Sequence, residues 1–163
     1  MNTSYMLSAA AWASSIFALD VASKWYMLER LDLLNRPPIE VTSFFNLAPV
    51  WNPGISFGMF ASHNQPLALI ALALAIIAVL LVWLARADSR FLANTLGVVI
   101  GGAAGNVIDR ARFGKVFDFL DFHIYGLHWP AFNVADSSIF IGVVLLCIHG
   151  MFFEKRHTSR EQL

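Results

Sequence analysis

Charge is what this sequence has least of. Only 13% of its 163 residues are Asp, Glu, Lys or Arg, about half the quarter usual in a soluble domain. Its 11 basic and 11 acidic residues cancel to a formal net charge of +0, which leaves no basic footprint for a nucleic-acid partner. Cysteine occurs once, at Cys147, so no intrachain disulfide forms. Its place in the last apolar run leads one to expect a buried, inert thiol. The five histidines form no HExxH or comparable ligand spacing, so neither a metal nor another cofactor is expected. GxSxG is missing, as is any Cys–His pattern, which removes the common serine and cysteine nucleophile arrangements.

What is present is apolar: 58% of the residues are hydrophobic. A membrane helix needs about 20 mostly apolar residues. Four stretches qualify, at residues 5–28, 66–85, 91–108 and 137–153. The first carries Asp20 and Lys24 in its latter half and has no Lys or Arg before its apolar part. It therefore reads as a retained helix and not as a cleavable leader. The second carries no charge and is joined to the third by the short RADSR turn, which makes the two antiparallel neighbours. The connections at 29–65 and 110–135 are long. They hold EVTSFFNLAPVWNPGISFGMF and KVFDFLDFHIYGLHWPAFN, which are aromatic, β-branched and broken by turn residues, as strands are. With four helices, both connections emerge on one face. The expected fold is a four-helix membrane bundle capped on that face by a small β-cradle, in one domain over residues 1–163. The basic RADSR turn and EKRHTSR tail favour cytoplasmic termini. Against this, Arg30, Arg36, Arg110, Arg112 and Lys115 lie toward the opposite face.

Ionisable groups at membrane depth cost about 2.5–3.5 kcal/mol each or more, so each invites a role. Asp20 and Lys24, spaced i, i+4, share a helix face and neutralise each other as a structural ion pair. Gly97, Gly101 and Gly105 form a stripe that admits a close helix, within the bundle or in a second copy. Asn106, Asp109 and Arg110 follow at i, i+3, i+4, as a helix-end hydrogen-bond network or as part of a site. Asp118 and Asp121 lie in a strand-like segment and so point to opposite faces, one buried and one exposed. Asp136 precedes the fourth apolar run and suits a helix N-cap. A cap also holds a carboxylate at a fixed place. Two carboxylates held close share one proton and act together on water and a carbonyl. The chain path brings Asp118 and Asp136 within possible reach.

The motifs that hold these residues resemble those of the lipoprotein signal peptidase (signal peptidase II) family. Four blocks match in order: LDVASK, with Asp20 and Lys24; WNPGISFGMF, with Asn52, Gly54 and Phe57; GNVIDRARFGKVFDFLDF; and FNVADSSI. Departures are small. Ser56 stands where the family often has Ala, and Phe117 where a second Val is common. The Gly-x-Gly-Asp motif of presenilin-type proteases is absent. The resemblance implies a bacterial inner-membrane aspartyl peptidase with Asp118 and Asp136 as the catalytic pair. Asn52, Gly54, Asn106, Asp109, Arg110 and Asn133 are implied as supporting or substrate-binding residues, with Asp20 and Lys24 nearby. The implied partners are a diacylglyceryl-modified prolipoprotein and membrane lipid. The bond before the lipidated Cys would be cut near the outer face by a monomer. A small ion- or proton-translocating protein is the alternative reading of the intramembrane charges. A scaffolding subunit is a third, which leaves Asp118 and Asp136 unexplained.

Overall fold

The computed structural model of the chain describes residues 2–54 and 66–153. Ser56, Phe57 and the basic tail from Glu154 lie outside these residues. Among the described residues, four helices are long and apolar enough to cross a membrane. α1 spans Thr3–Trp25 and continues as a π turn, Tyr26–Arg30. α2 spans Pro66–Ala85, α3 Arg90–Phe113 and α4 Val134–Phe153.

The end of α3 and the start of α4 differ from expectation, each for a visible reason. α3 runs on past residue 108 to Phe113 and stops at Gly114, whose φ of 69° places it in the left-handed region. Glycine adopts that conformation without a Cβ penalty, and its N–H closes the last turn on the Arg110 carbonyl. α4 begins three residues early, because its cap is Asn133 and not Asp136. The Asn133 Oδ1 accepts the Asp136 N–H at 2.9 Å, and the Asp136 Oδ2 accepts the Asn133 N–H at 3.3 Å. This is a reciprocal capping box, with Asp136 in the first turn.

α3 is the axis of the bundle, and α1, α2 and α4 all pack on it. The glycine stripe makes the α1 contact possible. A Cβ at Gly97 or Gly101 would collide with the main-chain carbonyl of Ala9 or Ala13. The stripe is thus filled from within the chain. Gly102, on the neighbouring face, does the same for α4: a Cβ there would collide with Ser138 Oγ. Near the far end Ala9, Leu80, Leu84, Leu92, Ala93, Leu96 and Val99 form a buried apolar cluster. Outward-facing positions such as Leu67, Val79 and Val82 are exposed, as suits a helix wall solvated by lipid. Cys147 is among the exposed residues; it faces outward from α4, not inward as expected.

The two long connections meet in one antiparallel sheet of order β1-β2-β3-β4. Its strands are β1 (Ile39–Thr42), β2 (Phe45–Asn52), β3 (Val116–Ile124) and β4 (Leu127–His128). β2 belongs to the first connection and β3 to the second, and Val50 pairs with Asp118 and Asn52 with Val116. Beneath the sheet, Leu33, Phe117 and Phe119 are buried together. Tyr125 and Gly126, both at positive φ, turn β3 into β4. The chain then returns alongside β3: the Phe132 carbonyl accepts the N–H groups of Phe119 and Leu120 at 3.1 and 2.9 Å. That return delivers Asn133 and the start of α4 beside Asp118.

Candidate active site

Asp118 stands in β3 with its side chain buried. Asn52 Nδ2 donates to its Oδ2 at 3.1 Å and Asn133 Nδ2 to its Oδ1 at 2.6 Å. Asp136 stands in the first turn of α4, where Asn106 Nδ2 donates to its Oδ1 at 2.8 Å. Asn133 therefore touches both carboxylates, one with its side-chain amide and the other with its backbone N–H. Burial pushes the Asp118 carboxyl up from 3.8 to about 7, and the neighbouring Asp136 charge pushes the same way. The amides of Asn52 and Asn133 oppose that shift because they favour the ionised form.

Arg110 closes one side. Its Nη2 donates to the Gly54 carbonyl at 2.8 Å and its Nη1 to the Asn106 carbonyl at 3.3 Å. The first bond ties the β2 exit to α3. Its Nε is buried without a partner among the described residues. Arg110 also borders the cavity described below.

Asp109 does not join Asn106 and Arg110. It turns to α1, where Lys24 Nζ lies 2.9 Å from its Oδ2 and 2.7 Å from Asp20 Oδ2. The expected Asp20–Lys24 pair is thus a three-membered group, buried throughout. Asp118 and Asp121 do point to opposite sides of β3, but both are buried, not one exposed. Asp121 is covered by Asn46 Nδ2 at 3.3 Å and His128 Nδ1 at 2.8 Å, away from the other carboxylates.

A cavity of about 940 Å³ opens over Asp118 and Asp136. Asn52, Asn106 and Arg110 complete its polar end. The rest is apolar: Leu69, Leu72, Ala73 and Ile76 of α2, Val99 and Ala103 of α3, Ile139 and Phe140 of α4, and Trp129 and Phe132 beside the sheet. The α2 positions recur at i, i+3, i+4, i+7, one helical face. That face was not singled out in the sequence, because α2 is apolar all round and carries no amphipathic signal. Pocket-sized cavities with apolar walls and a few convergent polar groups are where ligands and substrates bind. Among the described residues, no group of three or more His, Cys, Asp or Glu side chains is placed to hold a metal ion. Chemically, two adjacent carboxylates at the polar end of such a cavity can share a proton and activate water.

Known proteins resemble the chain over most of its length. The model of the family described as Signal peptidase (SPase) II matches residues 12–152. A lipoprotein signal peptidase of Methylobacterium sp. (strain 4-46) is 40% identical over 148 residues, covering 90% of each chain. One from Aeromonas hydrophila subsp. hydrophila is 40% identical over 163 residues, covering 96% of this chain and 97% of that one. Among solved structures, a bacterial membrane enzyme determined in meso at 2.3 Å resolution superposes with a TM-score of 0.78. It is 27% identical and the match covers 88% of this chain and 87% of that one. The chain belongs to the signal peptidase II family.

Proposed function

We propose that this protein is a membrane aspartyl endopeptidase that removes the signal peptide from diacylglyceryl-modified prolipoproteins. It cuts the bond N-terminal to the lipidated Cys. The observation that carries this reading is the Asn133-bridged pair of carboxylates at the polar end of an apolar cavity. Lipid chains and the apolar signal segment suit the α2 and α4 walls. The scissile carbonyl comes to the polar end.

In the reaction, Asp118 holds the proton shared by the pair and Asp136 is ionised. Asp136 takes a proton from a water as its oxygen attacks the carbonyl carbon, and Asp118 gives its proton to the carbonyl oxygen. The tetrahedral intermediate then collapses. The C–N bond breaks, the leaving nitrogen receives the proton held by Asp136, and Asp118 recovers its own. The products are a free carboxyl on the signal peptide and a free amine on the lipidated Cys. Asn52 and Asn106 each hold one oxygen of a carboxylate, and Asn133 holds the second oxygen of both, which fixes the pair in one orientation toward the water. Arg110 fixes the Gly54 main chain at the polar end of the cavity.

The pH dependence follows from Asp118. Hydrolysis needs one proton on the pair, and that proton leaves as pH rises through about 7. The kcat/KM profile is expected to show an alkaline limb near there. Asn52→Leu removes a donor that favours the ionised form, so it shifts the alkaline limb upward. A limb that stays fixed in this variant contradicts the assignment. The stability sign is separate. The folded state holds the Asp118 proton more tightly than the unfolded chain does. Stability from this group is therefore present below about 3.8 and declines as pH rises to about 7.

We place the site near the outer face of the inner membrane with both termini cytoplasmic. Two features support this: the sheet gathers both long connections at one end, and the basic RADSR turn leaves α2 for α3 at the other. The protein acts as a monomer in this reading, because α1 occupies the glycine stripe that a second copy would need. The test is incubation of the purified protein with a lipid-modified precursor, followed by mass measurement of both fragments. A single cut one bond before the modified Cys supports the reading; a cut elsewhere overturns it.

A further inference from the structure

We propose that Asp20, Lys24 and Asp109 are positioning residues that set the register of both catalytic carboxylates through the backbone. The inference rests on the reading of Asp118 and Asp136 as the catalytic pair. Its basis is where the two anions spend their remaining capacity. Asp109 Oδ2 accepts the N–H of Phe117 at 3.2 Å, and Phe117 immediately precedes Asp118. Asp20 Oδ1 accepts the N–H of Ala135 at 2.9 Å, and Ala135 immediately precedes Asp136. Lys24 holds both anions, at 2.9 and 2.7 Å. A single ammonium on α1 thus ties the entry of β3 and the first turn of α4 to one point, across 115 residues in the case of Ala135.

Stability alone is a poor reason for this group. Two buried carboxylates around one ammonium carry a heavy desolvation cost, and apolar residues of like volume commonly do as well. Register is a better one. A strand slipped by one residue turns its side chains to the other face, which would remove Asp118 from the cavity. Phe117 and Ala135 are both fully buried, so no solvent stands ready to replace the lost acceptors. The glycine stripe is shaped to the same end. A Cβ at Gly97 or Gly101 would meet α1 main chain, but at Gly105 it would meet the Asp20 carboxylate. Gly105 clears the path by which Asp20 reaches α4.

The test compares two double variants of equal charge. Asp20→Leu/Lys24→Met removes the acceptor for the Ala135 N–H; Asp20→Asn/Lys24→Met retains an amide oxygen there. The leucine variant is expected to lose about 100-fold in kcat, the scale of an ångström of misplacement at the reacting atoms, with KM within about two-fold. The asparagine variant is expected to recover at least about ten-fold of that loss. Thermal midpoints in detergent are measured for both, so that a kcat difference at matched stability reports position. Equal kcat in the two overturns the proposal. If the leucine double variant does not fold, Asp109→Leu against Asp109→Asn makes the same comparison at the Phe117 N–H. Asp118→Asn and Asp136→Asn run alongside. If they retain turnover, the catalytic pair itself is wrong; if they are inactive while the paired variants match, only the positioning role fails.

Discussion

Asp118→Asn and Asp136→Asn are each expected to lower turnover of a lipid-modified precursor by about 10³-fold or more, with the protein still folded. The reason is division of labour over one proton. Asn at position 136 cannot take a proton from water, and Asn at position 118 cannot give one to the carbonyl. Both substitutions conserve shape, so the cavity and the capping of α4 largely persist. Because the carboxylates act as a unit, the double variant is expected to be no slower than either single one. Asp121→Asn is the control. Its carboxylate sits across β3, held by Asn46 and His128, and lines no part of the cavity. Turnover within a few-fold of the parent is expected for it. Loss of activity equal to that of Asp118→Asn would mean that the strand, not the pair, is being read.

Asn133→Ala is expected to damage both stability and rate. The side chain is fully buried and performs two tasks. Its Oδ1 caps α4 through the Asp136 N–H, a contact whose loss costs about 1 kcal/mol. Its Nδ2 holds Asp118 Oδ1, and an oxygen left without a donor costs a further 1–3 kcal/mol or so. A fall in kcat of about 10²-fold accompanies this, since Asn133 is the bridge between the carboxylates. Asn133→Asp separates the tasks. It keeps an acceptor for the cap but places a third carboxylate against Asp118. Thermal unfolding in detergent is expected to show most of the capping stability retained, while turnover is lost as in the alanine variant. If both variants turn over normally, the bridge has no catalytic part.

Much of this architecture was legible in the sequence because lipid imposes simple rules. Length and apolarity located four helices, and aromatic, β-branched connections located the sheet. Other features were hidden for physical reasons. α3 outruns its apolar stretch because Asp109 and Arg110 find partners inside the protein, so polarity did not mark the helix end. Gly114 was the available stop signal. At the start of α4, Asn133 and Asp136 are both good caps, and their i, i+3 spacing is that of a capping box, which favours the earlier residue. Asp109 continues the run Gly101, Gly105 at i+4, the stripe that faces α1. That spacing pointed to Lys24 more directly than its closeness to Asn106 and Arg110 pointed to the cavity. Cys147 and the α2 cavity face had no comparable signal. In a helix apolar on every side, period 3.6 does not distinguish core, cavity and lipid.

The most direct test presents the purified protein with one precursor in two forms, with and without diacylglycerol on the Cys. The proposed function predicts that only the lipidated form is cut, at the bond N-terminal to the modified Cys, and that Asp136→Asn leaves it whole. Equal cleavage of both forms would contradict the substrate assignment. Ion conductance in liposomes with no proteolysis of either form would contradict the enzyme itself.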